Sequence, residues 1–92
     1  MPKKRTFEIA PLPFEVTATL EDIGYKIALA RKERRLSQRE FSAMLGVATA
    51  TLVSIEKGLP TVQIGHYARA LWLLEIPEVI GDFGRPEIRK EA

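Results

Sequence analysis

The 92-residue chain is 46% hydrophobic and 28% charged, which suits one soluble domain that buries a modest core and leaves no room for a second. It contains no cysteine, which excludes a disulfide framework or a cysteine-based metal site and fits a reducing compartment, so a cytoplasmic address is expected. The formal net charge is only +2, so overall balance argues weakly for a nucleic-acid partner, while no apolar run approaches the roughly 18 residues that span a bilayer. The start MPKKRTFEIAPLP lacks the continuous apolar segment of a secretory signal, and no membrane partner is expected.

Residues 1–18 carry Pro2, Pro11 and Pro13 among apolar residues without helical period, which predicts an extended arm. Phe7, Ile9, Leu12, Phe14 and Val16 make it too apolar for a simple solvent tail, so part of it is expected to pack on the domain, a second subunit or a partner. The domain proper is read over 19–82. Thr19 followed by Asp22 gives a helix start, and Leu20, Ile23, Ile27 and Ala30 form one apolar face of a helix running to about Arg34. From Lys26 to Arg39 six basic residues stand against one acid, Glu33, a net +5 in fourteen positions. Lys3, Lys4 and Arg5 add a second basic patch.

The stretch SQREFSAMLGVATATLVSIEKG, residues 37–58, predicts two short helices joined at a glycine turn. Ser37 and Glu40 have the spacing of a capping box, with Leu36 and Phe41 at the staple positions, so helix two begins at Gln38. Phe41 and Leu45 share one face. Gly46 follows where the chain must turn, often through positive φ. A third helix starts near Thr49, burying Val47, Leu52 and Ile55 and directing Thr49, Ala50, Val53 and Ser54 away from the core, and Gly58 ends it. Ala48 provides no side-chain cap, at a cost of about 1 kcal/mol unless Thr49 caps a helix begun one residue later.

Leu59-Pro60 interrupts the chain, and Thr61 is read as the cap of a fourth helix to about Leu74, with Ile64, Ala68, Leu71 and Leu74 inward. Trp72 and Leu73 fall beside that stripe, more apolar surface than one small core needs. A homodimer explains the excess, with Trp72, Leu73, Ile76, Val79 and Ile80 as its candidate seam; the alternative, that they complete the core of one chain, fits Ile76 and Val79 equally and Trp72 less well. Pro77 opens a short fifth helix through Val79 and Ile80, and Gly81, Gly84 and Pro86 break the chain before a charged tail, 83–92. The fold class is thus all-α, a compact five-helix domain behind an extended N-terminal arm. His66 is the only histidine, placed on the polar side of helix four; no nucleophile–base pair, metal spacing or phosphate-binding glycine fingerprint emerges, so neither an enzyme nor a cofactor is expected.

The pattern Ser37-Gln38, Phe41, Leu45-Gly46-Val47, Thr51-Leu52 and Ile55-Glu56-x-Gly58 resembles the Cro and phage-repressor class of helix-turn-helix proteins, the Xre family, over about residues 20–76. The stretch GLPTVQIGHYARALWLLEI, with Gly65-x-Tyr67 and Ala70-Leu71-Trp72, is similar to HipB-type antitoxins, which repress operons encoding HipA-type kinase toxins. The resemblance implies an ion pair between Arg31 and Glu56 that fixes the angle between helices. It also implies that helix three enters the major groove, with Thr49, Ala50, Val53 and Ser54 base-facing and Gln38 at a position that holds a phosphate and sometimes contacts a base. Arg39, Lys32, Arg35 and Lys57 are the phosphate contacts expected beside it. The chain departs from the family where long polar residues are common, having Thr49, Val53 and Ser54 instead. No arginine is aimed at guanine, so thymine methyls and DNA shape carry more of the selectivity. The expected partners are a double-stranded operator with inverted repeats, a second copy of the chain, and a HipA-like toxin. The rival reading is a protein-interaction module that keeps this shape with little direct DNA readout.

Overall fold

A computed structural model of the chain describes the backbone of residues 11–81 and the side chains of residues 11–79. The Lys3-Lys4-Arg5 patch, Phe7, Ile9, the side chain of Ile80 and the tail 83–92 lie outside the described residues. In chain order the elements are α1 (Phe14–Glu33), α2 (Gln38–Leu45), α3 (Thr49–Lys57) and α4 (Ile64–Leu73), followed by a single helical turn, α5 (Glu78–Gly81). No strand occurs among the described residues. None of their helices is long and apolar enough to cross a membrane.

The first helix corrects the expected extent of the arm, because residues 14–18 are helical rather than extended and the helix starts at Phe14 rather than after Thr19. Pro13 is the reason. Its φ of −58° is that of a ring-locked proline, and its carbonyl accepts from the amides of both Val16 and Thr17, so the proline that looked like a breaker is the helix's entry. Glu15 in the first turn and Arg31 and Lys32 in the last match the helix dipole. Thr19 caps nothing; its hydroxyl donates back to the Glu15 carbonyl at 2.8 Å from inside the helix.

Helices α1 to α4 end in the same device. After α1, the Arg35 amide donates to Lys32 and the Leu36 amide to Arg31; after α4, Glu75 donates to Trp72 and Ile76 to Leu71. These are the paired bonds of a Schellman turn, and they place Arg35 at φ 58° and Glu75 at φ 63°. Gly46 and Gly58 hold the same left-handed geometry after α2 and α3, at φ 76° and 71°. A side chain in that region costs about 1–2 kcal/mol, so two of the four turns carry a strain that glycine removes from the other two.

The core is built from one face of each helix: Ile23, Ile27 and Ala30 from α1, Phe41 and Leu45 from α2, Leu52 and Ile55 from α3, and Tyr67, Ala70, Leu71 and Leu74 from α4 and its end. On α4 the inward face differs from the expected one. Thr61 lies in the preceding turn, Gln63 takes the cap position without a side-chain bond, and Ile64 and Ala68 are exposed while Tyr67 and Ala70 are buried. Counting back from Leu71 and Leu74 by three and four gives Tyr67 and Ala70. Ile64, Ala68, Leu71 and Leu74 also have helical spacing, but Ile64 faces solvent.

Candidate nucleic-acid interface

The α2–α3 pair begins with a closed capping box: the Ser37 hydroxyl accepts from the Glu40 amide at 2.9 Å, and the Glu40 carboxylate accepts from the Ser37 amide at 2.8 Å. The backbone bond and then the hydroxyl of Ser37 hold the Glu40 carboxyl below its ordinary range. At the other end of α2 the Val47 amide donates to Ser42 O, closing the turn around Gly46, whose missing Cβ would meet open space. Only the torsion requires glycine there.

Gly58 and Gly24 are different. A Cβ on Gly58 would lie 2.3 Å from the Leu20 carbonyl oxygen, and one on Gly24 would lie 2.6 Å from the carbonyl oxygens of Ile55 and Glu56. The backbones of α1 and the end of α3 therefore touch without side chains between them. Across this contact Arg31 donates from Nε to Glu56 Oε2 at 2.7 Å and from a terminal nitrogen to Oε1 at 3.2 Å, with both side chains only 8% exposed. The remaining guanidinium nitrogen donates to the Leu36 carbonyl at 2.8 Å, tying the α1–α2 connection to the same pair. Attraction between buried charges is largely offset by their desolvation, so the pair fixes geometry more than it adds stability. Tyr67 buttresses this end from α4. Its hydroxyl donates to the Leu59 carbonyl at 2.7 Å, and burial pushes its phenol up to about 12.

The residues expected at a DNA surface fall into three sets. Thr49 and Ala50 are exposed at the start of α3, whereas Val53 and Ser54, one turn on, are half-buried. Arg39, Lys32, Arg35 and Lys57 are all exposed. Gln38 is half-buried and engaged, its amide nitrogen donating to Glu56 Oε1 at 3.0 Å. Helix α3 starts at Thr49 with Ala48 as an uncapped cap residue, so the compensation offered by a later start does not occur. Thr49 instead pairs its hydroxyl with that of Ser42, 3.1 Å away.

Sequence reasoning missed Ser42, Gly24 and Arg69, whose guanidinium donates to the Leu45 carbonyl at 3.1 Å, and noted Tyr67 without its role. Only Gly24 gave a signal, since a glycine inside a helical pattern marks a close backbone approach. Three residues of the expected seam lie against the chain's own core. Leu73, Ile76 and Val79 are half-buried and pack on the chain's own core, because the left-handed turn at Glu75 folds the following segment back over α4. Trp72 stays outside, 67% exposed, in line with Ala68 and with Ile64, which is 65% exposed.

Residues 27–65, which run from within α1 through α3 into α4, match a helix-turn-helix family model. The chain is 39% identical over 56 residues to the uncharacterized HTH-type transcriptional regulator y4mF of Sinorhizobium fredii, an alignment covering 61% of this chain and 74% of the relative. No solved structure matches the chain. With a buried Arg31–Glu56 brace, a glycine turn between two short helices and the second of them open to solvent at its start, the chain belongs to the helix-turn-helix family of transcriptional regulators.

Proposed function

We propose that the protein is a sequence-specific repressor that binds double-stranded DNA through α3 and acts as a homodimer on an inverted-repeat operator in the bacterial cytoplasm. The observation that carries this reading is the contrast along α3: its end is locked to α1 by Arg31, Glu56 and two glycine contacts, while its start, with Thr49 and Ala50, faces solvent. A helix held this way can enter a major groove with its amino-terminal residues at base edges. Arg39, Lys32, Arg35 and Lys57 are exposed and free of close ion pairs with the described residues, as phosphate contacts require. Dimerisation is assigned to the outward line of Ile64, Ala68 and Trp72, since one domain alone reads too few base pairs for useful selectivity.

A finer reading rests on the similarity of residues 58–76 to HipB-type antitoxins: the dimer represses its own operon and also binds a HipA-like kinase toxin. Footprinting on the chain's own upstream region tests operator binding, and a series of salt concentrations tests the phosphate contacts, since several of them make affinity fall steeply as salt rises. Protection of a twofold-symmetric site with a steep salt slope is the expected result. A flat salt response combined with tight capture of a kinase-like partner would favour the interaction module that does little reading of DNA.

A further inference from the structure

The hydrogen bonds behind the start of α3 fix the direction of a proton, and with it the kind of base that Thr49 can accept. Ser42 is buried at 3% exposure, and its hydroxyl donates to the Arg39 carbonyl at 3.0 Å. A carbonyl can only accept, and a serine hydroxyl has one proton. That proton is committed, so in the 3.1 Å contact between Ser42 and Thr49 the donor is Thr49. The chain runs from Thr49 to Ser42 to the Arg39 carbonyl, and the oxygen of Thr49, itself an exposed residue, is left with lone pairs and no proton to give.

Gln38 is held by the same logic. A carboxylate is acceptor-only, so the atom facing Glu56 Oε1 at 3.0 Å is the amide nitrogen, and the Gln38 carbonyl is turned to the other side. The second N–H of that amide is not engaged by Glu56.

We infer that the free end of the recognition helix presents acceptors, Thr49 Oγ1 foremost, and therefore selects a base carrying an exocyclic amino group in the major groove, adenine or cytosine, at the position Thr49 meets. These amino groups are the hydrogen-bond donors of the major-groove edge, where guanine and thymine offer acceptors instead. Gln38, with its carbonyl and the N–H that Glu56 does not engage, matches adenine, which presents a donor beside an acceptor. A phosphate, which accepts only, is a poor partner for Thr49. The inference rests on the reading of α3 as the groove helix and adds the polarity of its contact.

The test uses the full chain and a randomised duplex library. Wild type is expected to enrich adenine or cytosine at one position of each half-site, and replacing that base by its analogue without the amino group, purine or 2-pyrimidinone, should weaken binding about two- to tenfold, the effect of one neutral hydrogen bond. Thr49→Val, an exposed change that keeps the branched shape, should bind both versions equally. Ser42→Ala frees the Thr49 hydroxyl to donate as well as accept and should relax the preference at that position, so that guanine or thymine is bound as well as adenine or cytosine. A guanine or thymine preference in wild type, a Thr49→Val variant with unchanged preferences, or a Ser42→Ala variant that weakens all sequences alike would each overturn the inference while leaving DNA binding intact. A library that yields no enriched site would bring down the DNA-reading function itself, and this inference with it.

Discussion

The two ends of α3 are built by opposite means. Its carboxyl end, at Glu56 and Gly58, is pressed against α1 with no side chain between the backbones and is crossed by a bidentate ion pair at 8% exposure. Its amino end has no cap, no acidic residue in the first turn and two exposed small side chains, so it makes few demands on the rest of the chain. The difference teaches how a short helix becomes a probe: rigid attachment at one end leaves the other with little structural duty beyond the Thr49–Ser42 contact, and the residues there can be chosen for what they meet outside.

The strongest way to break that contrast is at the brace. Glu56→Ala leaves the Arg31 guanidinium buried without its partner and should cost about 3–5 kcal/mol in a denaturant titration. Glycine substitutions sharpen it next. Gly46 and Gly58 share a left-handed torsion, but only Gly58 has backbone where a Cβ would go. Gly58→Ala should therefore lose about 2–4 kcal/mol and Gly46→Ala about 1–2 kcal/mol, and equal losses would show that the close approach at Gly58 carries no weight. At the free end the sign reverses. Ala48→Ser supplies the missing cap and should raise stability by about 1 kcal/mol in the same titration.

The smallest effect concerns the buttress at Tyr67. Its phenol ordinarily titrates near 10 and is raised to about 12 in the folded chain, so between those values the unfolded chain gives up its proton while the folded chain keeps it. Stability contributed by the neutral phenol is whole below pH 10 and declines as pH rises toward 12. Tyr67→Phe should flatten that alkaline slope in a pH series of melting curves, and an unchanged slope would count against the buried hydroxyl as its source.

Most of the helix-turn-helix was legible in the residues because its signals are local. The Ser37–Glu40 box closes as its spacing requires, Gly46 and Gly58 adopt the left-handed turns, and Phe41, Leu45, Leu52 and Ile55 are buried. Each depends on residues within a turn or two. Pro13 misled because a proline serves equally as a breaker or as a helix entry, and only the carbonyl bonds from Val16 and Thr17 decide between them. The face of α4 misled for a related reason: Ile64, Ala68, Leu71 and Leu74 have helical spacing, but so do Tyr67, Ala70, Leu71 and Leu74, and the apolar content of this helix satisfies both.

By itself, then, the sequence determined where helices two and three begin and end, since capping and left-handed turns are short-range chemistry written in a few adjacent residues. The tertiary structure decided what those helices are attached to: the Gly24 and Gly58 contacts, the pairing of the Thr49 hydroxyl with Ser42, the hold of Glu56 on Gln38 and the side of α4 that turns inward. All four join residues brought together by packing, and the direction in which a hydroxyl or an amide faces is set by the partner it meets, which no spacing along the chain encodes.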